Sequence, residues 1–496
     1  MSHVLGVDVS TTATKAVLVD EHGSVAAIGV AEYDYDVPQP GWSEQDPALW
    51  WSGGQAAISA ALVAAGVDGA AVAAVGLTGQ MHGAVLLDGA DRVVRPAILW
   101  NDQRTARECQ LIRDAVGPQR LIEITGNDAL TGFTAPKLVW VRDHEPEAWA
   151  ATRHVLLPKD YLRLCLTGEH AMDKADGSGT ILFDLAARDW STEVLDALGI
   201  ARGLMPPTFE GPVVTGSVSA GAAAATGLRP GTPVVAGGGD QSANAVGVGA
   251  VAPGVVALSL GTSGVVFATT DAPLHERHGR VHAFCHAVPD RWHMMSVMLS
   301  AAGSLRWWRD AVAPETSFDD LVSPSAQVAA AADGLHFLPY LTGERSPYPD
   351  PDARGAFIGL DVTHDRRHMT RAVLEGVAFG LRDGLELMVD AGMPRPTRIN
   401  ASGGGVASPV WRQILADILE AEFALPSTTE GAAYGAAVLA AVGVGWFGSV
   451  EEAATQLVTA QPAAEPGPAA AAYAQYYADY VRLYPALAPW FHRRRD

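Results

Sequence analysis

The same short pattern opens both halves of this chain. Residues 4–20 read VLGVDVSTTATKAVLVD: an apolar run, a turn of small polar residues, then a second apolar run. Residues 255–269, VVALSLGTSGVVFAT, repeat that plan. Strand, small-residue turn and strand together spell a β-hairpin. Superposing Thr11 on Thr262 gives an offset of 251 residues in a chain of 496. One core rarely grows beyond about 250–300 residues, so a duplicated α/β unit is the architecture expected. The division is expected after Gly247, giving units 1–247 and 248–496, within the Gly- and Pro-rich stretch GVGAVAPG at 247–254.

Between the hairpins, helical periodicity at 46–65, 103–116, 366–391 and 408–420 alternates with short apolar strands at 72–77, 84–87, 155–157 and 398–402. That alternation predicts α/β with partly parallel sheets. Residues 460–470, AQPAAEPGPAA, read as a loop before a last helix at 471–483.

Composition narrows the function. A net charge of −21 argues against broad nucleic-acid binding, which needs a basic face. Three cysteines, Cys109, Cys165 and Cys285, are no disulfide framework and fit a reducing compartment. The start MSHVLGVDVS enters a strand-like run without a basic, long apolar leader, and no segment makes a membrane span. The expectation is a cytoplasmic protein with no membrane partner. Of the four lysines none follows glycine in a Walker A loop, and no G-x-G-x-x-G follows a strand to open a helix. A bound nucleotide needs another device.

Three glycine or hydroxyl-rich turns supply one. Ser10-Thr11-Thr12, Gly261-Thr262-Ser263-Gly264 and Ser402-Gly403-Gly404-Gly405 can expose backbone N–H groups to an anion. The third follows a strand and precedes a helix, whose N-terminus also favours phosphate. Asp8 sits inside an apolar strand, where it either bonds the adjacent turn or faces a metal ion held by phosphates. Asp240 follows Ala-Gly-Gly-Gly. It either caps the next helix or sits where glycines allow close approach to a ligand. His278, His282, Cys285 and His286 have a zinc-like spacing, but in an alternating strand Cys285 points away from His282 and His286.

In this order GVDVSTTATK, GFTAPKLVWVRDH (132–144), GGGDQ, LGTSG and SGGG resemble the FGGY carbohydrate kinases, relatives of hexokinase, actin and the heat-shock chaperone ATPases. The resemblance runs from residue 3 to about 445. It implies two actin-like domains around a cleft, with sugar deep inside and ATP at the mouth. GWSEQDPALWW (41–51), GQMHGAVLLD (79–88), RPAILWNDQR (95–104), LLPKDYLRL (156–164) and FLPYLTGERSP (337–347) are most similar to members that phosphorylate D-xylulose. Glycerol-specific members carry Arg-Glu where this chain has Met81-His82.

The resemblance implies a role for each residue. Asp240 is the base on the sugar's 5-hydroxyl, and Asp8 with Asp240 holds Mg²⁺. Thr11, Thr12 and Lys15 meet the phosphates from one domain, Gly261 and Thr262 from the other. Gly303, Gly404, Gly405 and Ser408 contact the nucleoside; Ser408 stands where glycerol-specific members have Asn. Met81, His82, Asn101, Asp102 and Gln241 line the sugar pocket. The expected reaction is ATP-dependent phosphorylation of D-xylulose. The alternatives are a sister kinase for another ketose or polyol, ribulose for example, and a non-enzymatic nucleotide switch. Family members are often dimeric, which leaves a homodimer open.

Overall fold

The computed structural model describes residues 2–428 and 430–495. It contains two large mixed sheets. The first runs Val214–Ser217, Pro233–Val235, Val72–Gly79, His3–Val9, Ala13–Asp20, Val25–Glu32, with Gly238–Gly239 also pairing to Val72–Gly79. The second runs His282–Cys285, Trp292–Met298, Gly264–Thr270, Val255–Leu260, Arg398–Ser402, Glu422–Pro426, Ala460–Ala464.

The two sheets share one plan. An antiparallel hairpin is extended on one side by a third antiparallel strand. On the other side a strand joins parallel to the hairpin's first strand: Val72–Gly79 on His3–Val9, and Arg398–Ser402 on Val255–Leu260. A parallel neighbour needs a crossover connection. The helices Pro47–Ala65 and Arg366–Asp390 provide it, each packed on its own sheet. Identical order in two sheets, 251 residues apart at the hairpin turns, is the duplication that the sequence pattern predicted.

The helix Gly431–Gly443 breaks this symmetry. It lies on the first sheet, against His3–Val9 and Val72–Gly79, and also packs along the helix Asp240–Gly247. The contacts are backbone to backbone. A methyl at Gly6 would overlap the Ala433 carbonyl, and one at Gly76 the Ala436 carbonyl. A methyl at Gly435 would overlap the Ala243 carbonyl. The run of alanines and glycines in this helix is thus a packing face, buried along most of its length.

Two local expectations change. Ala460–Ala464 is an edge strand, not a loop, antiparallel to Glu422–Pro426. Its Pro462 misled the reading; at an edge, proline's missing N–H costs no ladder bond. The last helical stretch divides into Ala470–Tyr480 and Leu483–Phe491. The strands Val85–Leu87 and His154–Leu156 pair with each other outside both main sheets. No helix among the described residues is long and apolar enough to cross a membrane.

Candidate active site

The site lies beside the second hairpin, where Asp240, Met81 and His82 share a cavity with Ser263 and Val265. Asp8 lies near the end of the first strand, and its Oδ1 is buried without a hydrogen-bond partner. Burial, and next the nearby Asp240 carboxylate, push its pKa up to about 7, against the pull of Lys15. Asp240 is the first residue of its helix, half-buried, with its pKa pushed up to about 6 by burial. The neighbouring Gln241 amides counter that rise and favour the ionised form. Two carboxylates within electrostatic reach, one with an unpartnered oxygen, are an all-oxygen donor set suited to a hard divalent cation.

Each glycine before Asp240 answers to a different neighbour. Gly237 has φ 78°, and a methyl there would overlap the Leu77 carbonyl. At Gly238 a methyl would meet Ala287 Cβ at 2.8 Å, and at Gly239 Asp176 Oδ1 at 2.6 Å and Met81 Cγ at 2.9 Å. The glycines therefore serve the fit of Asp240 into the protein wall. Asp176 itself is held by the buried Lys159, which also pairs with Asp160 and Asp173.

A cavity of about 210 Å³ opens beside Asp240 and Gln241. Met81 and His82 form one wall. His82 adopts φ 69°, outside the usual range for a residue with a side chain. Its Nδ1 lies 2.8 Å from the Gly179 carbonyl, so Nδ1 carries the proton. Burial, and next Lys137, hold its pKa well below 6.5. A neutral ring with Nδ1–H spent leaves Nε2 as an acceptor.

Residues outside the predicted set complete the cavity. Trp100, Phe133, His282, Phe284 and Arg345 all line it. His282 pairs through Nδ1 with Asn127 Oδ1 at 3.2 Å, and burial, then Arg345, lower its pKa to about 3. It presents a second neutral acceptor. Among the described residues His278, His282, Cys285 and His286 make no metal cluster: His286 bonds Ser242, and the Cys285 N–H donates to Ser178 Oγ. Arg345 stood in view within TGERSP, but nothing local said which way it faces. Phe133 follows Gly132 in the signature stretch, and buried Lys137 donates to the Thr131, Gly132 and Phe133 carbonyls. That lysine positions the wall and does not touch the cavity.

Of the predicted pair Asn101 and Asp102, neither lines the cavity. Asp102 is fully buried, accepts from the Ser43 N–H at 2.7 Å and is ion-paired to Arg104 at 2.7 Å. Asn101 Oδ1 is buried without a partner. Their neighbour Trp100 reaches the cavity and donates from Nε1 to Thr11 Oγ1 at 3.0 Å. Thr11 in turn donates to Gln80 at 3.3 Å, while Thr12 is exposed. Lys15 is paired with Glu430 at 2.6 Å.

A second cavity, about 490 Å³, lies beyond the second turn. Gly261, Thr262, Gly404, Gly405 and Ser408 line it. Gly303 backs it: its N–H donates to the Thr262 carbonyl at 3.1 Å, and a methyl there would crowd that oxygen at 2.9 Å. Gly403 takes φ 94°, folding the third turn back onto Leu260. A methyl at Gly404 would meet nothing within 4 Å. Ser408 caps the helix Pro409–Leu419, its Oγ accepting from the Trp411 N–H. The turn 261–264 separates the chambers: Ser263 lines the first, Gly261 and Thr262 the second.

Comparison with known proteins agrees. The N-terminal domain of the FGGY family of carbohydrate kinases matches residues 3–247, and the C-terminal domain of that family residues 256–444. Xylulose kinase of Escherichia coli K12 is 44% identical over 98% of this chain and 99% of its own. That of Lactococcus lactis is 39% identical over 98% and 97%. The crystal structure of a xyloylose kinase from Brucella ovis superposes with TM-score 0.92 at 43% identity, covering 98% of this chain and 100% of that one. With both family domains matched in order, and with two chambers meeting at a glycine turn, the chain belongs to the FGGY family of carbohydrate kinases.

Proposed function

We propose that the protein transfers the γ-phosphoryl group of ATP to the 5-hydroxyl of D-xylulose, giving D-xylulose 5-phosphate and ADP. One observation carries this reading: the turn 261–264 divides a small cavity holding Asp240 from a larger one backed by Gly404 and Ser408. A sugar in the first and a nucleoside in the second would meet at that turn. The relatives named xylulose kinase, at 39–44% identity over nearly the whole chain, favour this ketose.

Asp240 accepts the proton of the 5-hydroxyl as its oxygen attacks the γ-phosphorus and the bond to the β-phosphate oxygen breaks. Phosphoryl transfer asks mainly for alignment and charge neutralisation. A base with a pKa near 6 is ionised at neutral pH and still basic enough to take that proton late. Met81 gives an adaptable apolar wall. His82 accepts a sugar hydroxyl at Nε2, and Gln241 holds both Asp240 and sugar. Asn101 supports the pocket rim, and Asp102 anchors it through Arg104 and Ser43.

Thr11, Thr12 and Lys15 on one side, and Gly261 and Thr262 on the other, meet the phosphates; Gly303, Gly404, Gly405 and Ser408 hold the nucleoside. The unpartnered Asp8 Oδ1 and the facing Asp240 fit Mg²⁺. When bound, the ion neutralises phosphate charge. On this reading the units divide at 247/248 and work in the cytoplasm, where ATP is supplied.

The test is a panel of ketoses and polyols with a coupled ADP readout. D-xylulose should lead by kcat/KM; a lead for D-ribulose or glycerol overturns the substrate assignment, and ATP hydrolysis indifferent to every sugar overturns the kinase assignment.

A further inference from the structure

Among the described residues one group of three metal-capable side chains has its ligand atoms within 4.8 Å of one another: Asp91, His154 and His170. None of the three lines either cavity. The fold brings them from three separate segments. Asp91 occupies the turn after the strand Val85–Leu87, held at φ 59° with its N–H on the Asp88 carbonyl. His154 opens the strand His154–Leu156, directly opposite Leu87 in register. His170 follows the left-handed Gly168 that ends the helix Pro158–Thr167.

The two imidazoles stack with centroids 4.2 Å apart and planes 22° off parallel. His170 Nε2 lies 2.8 Å from Asp91 Oδ1. No described residue hydrogen-bonds either ring nitrogen of His154. The group thus brings together one carboxylate and two imidazoles, one of them without a hydrogen bond to a described residue. The His170 ring can join by carrying its proton on Nδ1 in place of Nε2, which frees the Nε2 lone pair without releasing a proton.

We propose that Asp91, His154 and His170 form a surface site for a zinc-class transition-metal ion. Two imidazoles and one carboxylate are borderline-soft and hard donors in the number that leaves a fourth, water-filled position on tetrahedral zinc. Mg²⁺ prefers oxygen ligands and keeps its waters, so it does not compete here. The ion ties the turn after Val85–Leu87, the His154–Leu156 strand and the loop after Pro158–Thr167 to one point. The strand that leads into this turn starts three residues after His82 at the cavity, which makes the site a clamp on the sugar-binding half.

The experiment uses the full chain, freed of metal by chelation, without nucleotide. Zn²⁺ is titrated against a chromophoric chelator, and Co²⁺ binding is followed by visible absorption. One equivalent is expected to bind, with the Co²⁺ spectrum of a low-coordinate site. His154→Ala and His170→Ala should each weaken binding at least tenfold, since even outer partners of metal ligands are worth about 10–100-fold. Asp91→Asn, which suits the left-handed turn, should do the same without disturbing the fold. Retained sugar-kinase turnover in Mg²⁺ shows that the variants are folded. Absence of stoichiometric binding, or unchanged Zn²⁺ affinity in the folded His154→Ala/His170→Ala double variant or in Asp91→Asn, overturns the proposal.

Discussion

The Lys15 ammonium lies 2.6 Å from the Glu430 carboxylate, across 415 residues of chain. The pair joins the first hairpin to the residue that precedes the helix Gly431–Gly443. Lys15 therefore has an anionic partner before any phosphate arrives. A partly exposed pair of this kind is worth up to about 1 kcal/mol, a factor of about five in binding. Lys15→Ala should raise the KM for ATP and leave sugar binding unchanged. Glu430→Gln should lower the KM for ATP by up to about fivefold by releasing the lysine. Steady-state kinetics with each substrate varied in turn reads both; a Lys15→Ala enzyme with wild-type KM for ATP removes Lys15 from the phosphate site.

Asp240→Ala should keep sugar affinity while turnover falls by about 10² or more, the usual contribution of a positioned base. Calorimetric sugar binding alongside kcat separates the two effects. Near-normal turnover would dismiss Asp240 as the base.

In the sequence His282 belongs only to a zinc-like spacing, yet it lines the cavity beside Asp240, with Nδ1 on Asn127 Oδ1. His282→Phe removes an acceptor and leaves a sugar hydroxyl unpaired, a loss of about 1–3 kcal/mol. The sugar KM should rise roughly 5- to 150-fold, with the KM for ATP unmoved. An unchanged sugar KM would place His282 among purely structural residues.

Gly76→Ala and Gly435→Ala each drive a methyl into a backbone carbonyl that cannot step aside, that of Ala436 or Ala243. Overpacking of this sort costs on the order of 3 kcal/mol. Gly404→Ala, which meets nothing within 4 Å, is the control. Thermal unfolding should show two strongly destabilised variants and one at the wild-type midpoint.

Acid should weaken the protein early. Burial pushes His282 and His286 down to about 3 from 6.5, and holds His293 well below 6.5. Between about 6.5 and 3 the unfolded chain takes up protons that the folded one refuses. The stability these neutral rings support is thus full above 6.5 and lost as pH falls through that window. Each contributes a slope of up to about 1.4 kcal/mol per pH unit. His286→Gln should flatten the dependence of the melting temperature on pH between 6.5 and 4, even if the variant is less stable at pH 7.5. An unaltered slope would show that His286 is not a source of the acid sensitivity.

Periodicity and turn chemistry are local properties, and they sufficed for much of this protein. The repeated hairpin, the strand and helix alternation, and the glycine turns at 261–264 and 402–405 were all legible along the chain, because alternation and small-residue turns are written within a few residues of themselves. The same locality made Asp8 and Asp240 visible as carboxylates in costly places. What no local pattern carries is direction across the fold. Asp102 and Trp100 are two residues apart, yet one turns into an ion pair with Arg104 and the other into the cavity. His282 and Arg345 reach the cavity beside Asp240 only because the second sheet and the Thr342–Pro347 loop close against the first half. The three glycines before Asp240 were readable as room for something, and only the packed neighbours Leu77, Ala287 and Asp176 say what fills it. Local sterics and hydrophobic spacing determined the elements; which side chains meet was decided by the burial of distant surfaces against one another, a sum over contacts that no short stretch contains.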